Sequence, residues 1–222
     1  MSVVVYKLGG SLLLLPDLPR RIAHIPDWFP GSRPLIVVGG GQTADVVREW
    51  DRIHHLGDER AHQLALSSLR LNEMLLVELV ENARRVCSRD EVDRAWADNR
   101  LPVLSTDDFL RANEASSNIP LPHNWNVTSD SIAAWVALEW PADKLVLLKS
   151  RPVPTGFPAV ECPGLAVEAD LSPVDAYFAQ LTPRLAEVDW VNLRDESPQP
   201  RLWGQPTETS PKPVQTHSPS HP

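Results

Sequence analysis

The sequence predicts a three-layer α/β/α sandwich around a mainly parallel central sheet, and three observations carry that expectation. Strand-like runs alternate with helix-like ones along most of the chain. The strands are almost uninterruptedly apolar, and two of them run straight into glycine clusters. A strand covered by helices on both faces needs no polar alternation, which is the mark of a buried parallel sheet.

In chain order, VVVYKL opens as a strand and enters Lys7-Leu8-Gly9-Gly10-Ser11. DLPRRIAHI forms a short helix that stops before Pro26. LIVVGGG repeats the strand-to-glycine pattern, and QTADVVREWDRIHHL places Val47, Trp50 and Ile53 on one helical face. Asp58 is positioned to cap a long helix, ERAHQLALSSLRLNEMLLVELVENA, whose Met74–Val80 half is apolar nearly all round and fits core plus a partner surface. RVC and LPVL are short strands. Thr128 or Ser129 caps SDSIAAWVALEW, which Pro141 ends; KLVLLKS is a buried strand, DAYFAQLTPRLAE a broken helix and VDWVNL a last strand. From Glu196 to Pro222 the chain is rich in Pro, Ser, Thr and Gln, too poor in apolar surface to offset its ordering entropy. The expected organisation is one domain over 1–195 and a disordered tail over 196–222.

Bulk properties narrow the function. A net charge of -8 argues against a nucleic-acid partner, which would need a basic face, yet leaves room for small anions met by local lysines. No apolar run is long enough to span a membrane and the N-terminus lacks a signal-peptide layout, so a cytoplasmic protein is expected. Cys87 and Cys162 lack metal-ligand spacing and read as reduced thiols.

Ligands of a parallel α/β sheet sit beyond the carboxyl ends of its strands, where both glycine turns lie. Bare backbone N–H groups before a helix make a seat for an oxyanion, and Lys7 can reach the same anion. Neither turn matches GxxxxGK[ST] or GxGxxG, so each alone is as consistent with a simple tight turn. Asp130 falls in the first turn of its helix and Lys149 ends its strand, at the same sheet edge as Lys7. Taken singly they read as a capping aspartate and a snorkelling lysine. Together, Asp130 can hold both ammonium groups. After the GGG turn, Asp45, Arg48 and Asp51 share a helix face and suit either recognition of an amine and a phosphate or a solvated ion-pair surface. His62 reads as a structural histidine or a substrate contact; Trp125 can stack on a flat ring, while Trp135 reads as core.

Lys7-Leu8-Gly9-Gly10-Ser11, Gly39-Gly40-Gly41 and Asn126-Val127-Thr128-Ser129-Asp130 resemble, in order and spacing, the amino acid kinase superfamily, which includes acetylglutamate, aspartate, uridylate, carbamate and isopentenyl phosphate kinases. GGGQTADVVREWDRIHHLGDERAHQLAL with PHNWNVTSDSIAAWVA looks most like the branch that phosphorylates aminomethylfuran phosphate in methanofuran synthesis. The resemblance implies an ATP-dependent kinase using Mg2+, acting on a small-molecule phosphate acceptor, with a homo-oligomeric assembly. It implies that Lys7 meets the transferring phosphoryl group with Gly9, Gly10 and Ser11. Gly39, Gly40 and Gly41 would cradle the acceptor, with Asn126 and Thr128 facing it or the phosphoryl group. Asp130 would orient the lysines and Lys149 would neutralise the leaving side. Other kinases of the fold, making acyl phosphates or nucleoside diphosphates, and a non-catalytic oxyanion binder are the alternatives. The chain departs from the family after Lys149, where SRPVPTGF replaces a VDG-type turn and leaves the adenine contacts unread.

Overall fold

The computed structural model describes residues 1–154 and 173–204. Its strands are β1 (Val3–Leu8), β2 (Arg33–Val38), β3 (Ala83–Val86), β4 (Leu101–Leu104), β5 (Lys144–Lys149), β6 (Val188–Asn192) and β7 (Arg201–Gly204). They form one sheet in the order β3-β4-β2-β1-β5-β6-β7, parallel throughout except for β7, which runs antiparallel to β6. The α/β/α expectation therefore holds. The helices are α1 (Leu18–Ile22), α2 (Ile25–Trp28), α3 (Gly41–His54), α4 (Asp58–Leu79), α5 (Arg89–Ala97), α6 (Thr106–Asn113), α7 (Ser129–Glu139) and α8 (Phe178–Leu181).

The central strands are buried on both faces because alternate residues feed two separate cores. Val5, Leu35, Val37, Leu145 and Leu147 pack with α7 and Trp135, whereas Val4, Tyr6, Ile36, Val146 and Leu148 pack with Leu12, Leu18 and Ile22. The strand order reverses at β1, with β2 on one side and β5 on the other. A crevice at such a reversal is where open α/β sheets bind ligands.

Three expectations change. The long helix begins at Asp58 rather than after it, with Gly57 as its cap at φ 81 and no side-chain cap bond. The helix expected over 17–25 breaks into α1 and α2. The boundary at residue 195 is corrected to at least Gly204: β7 lies within the expected tail, and Trp203 is buried against Trp190 at a centroid distance of 5.0 Å. The exposed hydrogen-bonding edge of β6 recruits β7, a long-range effect that local composition does not report. The remainder of the tail, Cys162 and the end of SRPVPTGF lie outside the described residues.

Candidate active site

Register on the sheet brings the two lysines together. Lys7 of β1 lies opposite Leu147 of β5, so Lys149, two residues further on, emerges on the same face. Helix α7 packs on that face, and Thr128 caps it by accepting from the Asp130 amide at 3.4 Å, which sets Asp130 in the first turn above the strand ends. Lys149 Nζ donates to Asp130 Oδ2 at 2.7 Å, and Lys7 Nζ lies 2.9 Å from Oδ1. The second pair is an ion pair off the hydrogen-bonding direction, so Oδ1 has no aligned donor among the described residues. All three groups are buried, and Lys149 also donates to the Pro173 carbonyl at 3.0 Å.

One carboxylate shared by two ammonium groups has an asymmetric effect. Burial works against the Asp130 charge, but Lys149 and Lys7 together outweigh it and bring its pKa down to about 2. Lys149 is lowered to about 8, because burial and the nearby Lys7 charge exceed what half a carboxylate returns. The result is a net positive pocket floor, fixed before any anion arrives.

The two glycine turns pack backbone against backbone. A Cβ on Gly10 would sit 2.3 Å from the Gly41 nitrogen, and Gly41 itself has φ 52. No side chain fits between them, which is why both turns are glycine. Their amides are not equivalent. Gly9 N–H donates to the Leu148 carbonyl at 2.9 Å and Gly39 N–H to the Leu8 carbonyl at 2.8 Å. The N–H donation expected of Gly9 and Gly39 is therefore corrected: both amides stitch strand ends together. The amides of Gly10 and Ser11, which open a 3-10 turn, and of Gly40 and Gly41, which open α3, have no backbone acceptor among the described residues. Ser11 Oγ lies 3.2 Å from Ser150 Oγ across the same sheet edge.

Beside this floor is a cavity lined by Gly40, Gly41, Asp45, Arg48, Trp125 and Thr128, among others. Arg48 donates to Asp45 at 2.6 Å and lies over the Trp125 ring, 4.9 Å from its centroid. Trp125 Nε1 donates to Asp51 at 2.9 Å, so the expected Asp45-Arg48-Asp51 face is tied together through an indole. Asn126, expected to face the acceptor or the phosphoryl group, is exposed and does not line this cavity, which Asn124 does. Trp135 is core, its Nε1 donating to the Ile119 carbonyl.

Two polar residues of the site escape sequence reading. Asn72 is buried on α4, just before its apolar Met74–Val80 run, and its Nδ2 donates to the carbonyls of Gly39 and Gly40 at 2.8 and 2.7 Å, holding the second turn. Its signal was its place: an amide in an apolar helix needs a buried partner. Asp175 accepts from Thr128 N–H (3.1 Å), Thr128 Oγ1 (2.6 Å), Ser131 N–H (3.1 Å), the Ser131 hydroxyl and Phe178 N–H (3.0 Å). A carboxylate from a later segment thus occupies the α7 N-terminus, and Thr128, expected to face the acceptor, spends its hydroxyl proton on it.

Residues 2–158 match the model of the amino acid kinase family. The chain belongs to the amino acid kinase family. That match covers Lys7, both glycine turns, Asp130 and Lys149 and stops short of Asp175. This amino acid kinase family member is 22% identical over 134 residues to the [5-(aminomethyl)furan-3-yl]methyl phosphate kinase of Methanocaldococcus jannaschii; the aligned stretch is 60% of the chain and spans 58% of the length of that relative. Among solved structures it is similar to the uridylate kinase of Archaeoglobus fulgidus, with a TM-score of 0.57, 18% identity and coverage of 93% of this chain and 92% of that one. It is also similar to the UMP kinase of Ureaplasma parvum, with a TM-score of 0.56, 15% identity and coverage of 90% and 92%. At these identities the structural likeness establishes a shared fold. Among the described residues no helix is long and apolar enough to cross a membrane.

Proposed function

We propose that this family member is an ATP-dependent phosphotransferase whose acceptor is a phosphorylated, amine-bearing small molecule such as aminomethylfuran phosphate. The observation that carries the reading is the buried Lys7–Asp130–Lys149 cluster at the strand-order reversal, beside a cavity edged by free amides. The similarity to the M. jannaschii enzyme supports the choice of acceptor.

In this reading an acceptor phosphate oxygen attacks the γ-phosphorus of ATP, the bond to the β–γ bridging oxygen breaks, and ADP leaves. A phosphate oxygen is already a nucleophile, so no general base is required, and catalysis consists of positioning and charge stabilisation. Lys7 meets the transferring phosphoryl group with the Gly10 and Ser11 amides. Lys149 offsets charge on the leaving side, and Asp130 keeps both ammonium groups in place. The Gly40 and Gly41 amides, at the N-terminus of α3, receive the acceptor phosphate, with Asp45 and Arg48 further out. Mg2+ would enter on the nucleotide phosphates. Both Asp130 oxygens face lysines, and the described residues contain no cluster of three carboxylate, histidine or cysteine groups suited to hold a metal. A cytoplasmic setting, where ATP is supplied, and a homo-oligomer joined through α3 and α4 belong to the same reading.

The test is an ADP-release screen over phosphorylated furans, nucleoside monophosphates and amino acids, with Lys7→Ala as control. Turnover with the aminomethylfuran phosphate, lowered at least about 100-fold in Lys7→Ala, is the expected result, since one charge-stabilising group is worth about 10²–10³ in rate. Tight ATP binding with no ADP release from any acceptor would make the protein a non-catalytic binder.

A further inference from the structure

The acceptor cavity that Gly40 and Gly41 line is also lined by His62, which is stacked on His123. His62, in the second turn of α4, is 9% exposed and lines the cavity, yet its ring nitrogens have no hydrogen-bond partner among the described residues. Its ring instead lies parallel to that of His123, with centroids 4.2 Å apart and an interplanar angle of 5°. His123 is gripped at both nitrogens: Nδ1 is 2.8 Å from Glu59 and Nε2 is 2.8 Å from Glu114. A ring facing a carboxylate at each nitrogen donates twice, and only the imidazolium has two N–H groups.

That arrangement fixes the character of His62. An imidazole stacked on an imidazolium resists taking a second proton, so it presents one N–H and one lone pair and makes a poor partner for phosphate. Asp58, one helical turn before His62, lines the same cavity, whereas Arg48 is already occupied by Asp45 and Trp125. Around this wall Asp45, Asp58, Glu59 and Glu114 outnumber Arg48 and His123, while Asp107 is paired with Arg111. A ligand group drawn here is a cation with protons to donate.

We infer that His62 is the specificity-determining residue for the acceptor's far end, accepting a hydrogen bond from a primary ammonium group while the acceptor phosphate lies at the Gly40–Gly41 amides. This rests on the kinase reading above and adds to it the residue that reads the amine. Burial and the His123 charge both push the His62 pKa below its usual 6.5, against the opposing pull of Glu114, Glu59 and Asp107. For His123, burial works the other way, but Glu59 and Glu114 outweigh it and raise the pKa. Amine recognition therefore persists at neutral pH and is lost in acid, when His62 takes a proton.

The test compares two probes, aminomethylfuran phosphate and the same furan with methyl in place of aminomethyl, on the full chain. His62→Phe keeps the stacked ring and removes both nitrogens. Its KM for the amine probe is expected to rise at least about 10-fold with kcat within about twofold, while the methyl probe is unaffected. His62→Gln, which keeps an acceptor atom, is expected to fall between. Wild-type affinity for the amine probe, followed by calorimetry without nucleotide, should fall as pH drops below 6.5, and Glu114→Gln should displace that limb. Equal losses for both probes, which would mark a phosphate contact, or no loss for either, would overturn the inference. Calorimetry separates it from the kinase reading: His62-dependent amine binding without ADP release sinks only the kinase, and turnover indifferent to the amine sinks only this inference.

Discussion

At the scale of single residues, the site turns on two lysines sharing one carboxylate. Because Lys149 has its pKa lowered to about 8 in the folded protein, the native state binds fewer protons than the unfolded chain between about 8 and 10.5. Across that window this group's contribution to stability rises with pH, while the ammonium that the proposed reaction draws on is lost. Activity and stability are thus expected to separate: kcat/KM falls with an apparent pKa near 8, with no parallel fall in the denaturation midpoint. In Lys149→Arg, whose guanidinium does not titrate there, the limb near pH 8 should disappear. An unchanged limb in the arginine variant would assign it to another group. Asp130 works in the opposite direction. Held at about 2, its contribution is present above its unfolded value near 3.8 and lost as pH falls through 2.

At the scale of elements, what was legible followed from local chemistry. The strands of KLGGSLL, LIVVGGG and KLVLLKS declare themselves because their apolar runs are continuous, and the lysine–aspartate cluster follows from their shared sheet edge. Which amides stay free was not legible, since Gly9 is silenced by Leu148, a carbonyl far along the chain. Asp175 was hidden for the same reason: one aspartate in a proline-containing stretch gives no local sign that it caps a helix begun at Ser129. Its role yields a prediction. Asp175→Asn keeps an acceptor oxygen but replaces the other with a donor facing Thr128 and Ser131, whose groups at that point also donate. Stability should fall by about 2 kcal/mol in denaturant titrations, the scale of a charge-assisted bond lost in a buried place. Because α7 carries Asp130, kcat should fall more than either KM rises. A variant with normal kcat and only lowered stability would confine Asp175 to the fold.

At the scale of the whole molecule, the helix pair α3 and α4 has one face toward the site and another toward solvent, and both carry apolar residues. His62, Ala65, Leu66 and Leu69 of α4 look into the cavity. On the other side Leu71, Met74 and Leu75 are 58%, 52% and 42% exposed, and the packed neighbour α3 adds Val46, Trp50 and Ile53 at 47%, 48% and 50%. Of Val47, Trp50 and Ile53, read from the sequence as one helical face, only Val47 is buried. Scattered surface apolar residues need no explanation, but six large ones on two packed helices are worth testing as a protein interface. Residues advance 100° per position on a helix, so Leu71 and Leu69 point to nearly opposite sides. Association through this face would therefore leave the cavity open. The chain is expected to elute at about twice its 24.7 kDa in light-scattering chromatography at micromolar concentration. Leu71→Glu combined with Met74→Glu should give a single species at 24.7 kDa, because two carboxylates on each copy would meet across an apolar seam. Since neither residue faces the cavity, the monomer should still bind acceptor as the wild type does. A wild-type chain monomeric at all concentrations would leave this patch without a second copy, and acceptor binding lost in the double variant would mean that the two faces of α4 are coupled.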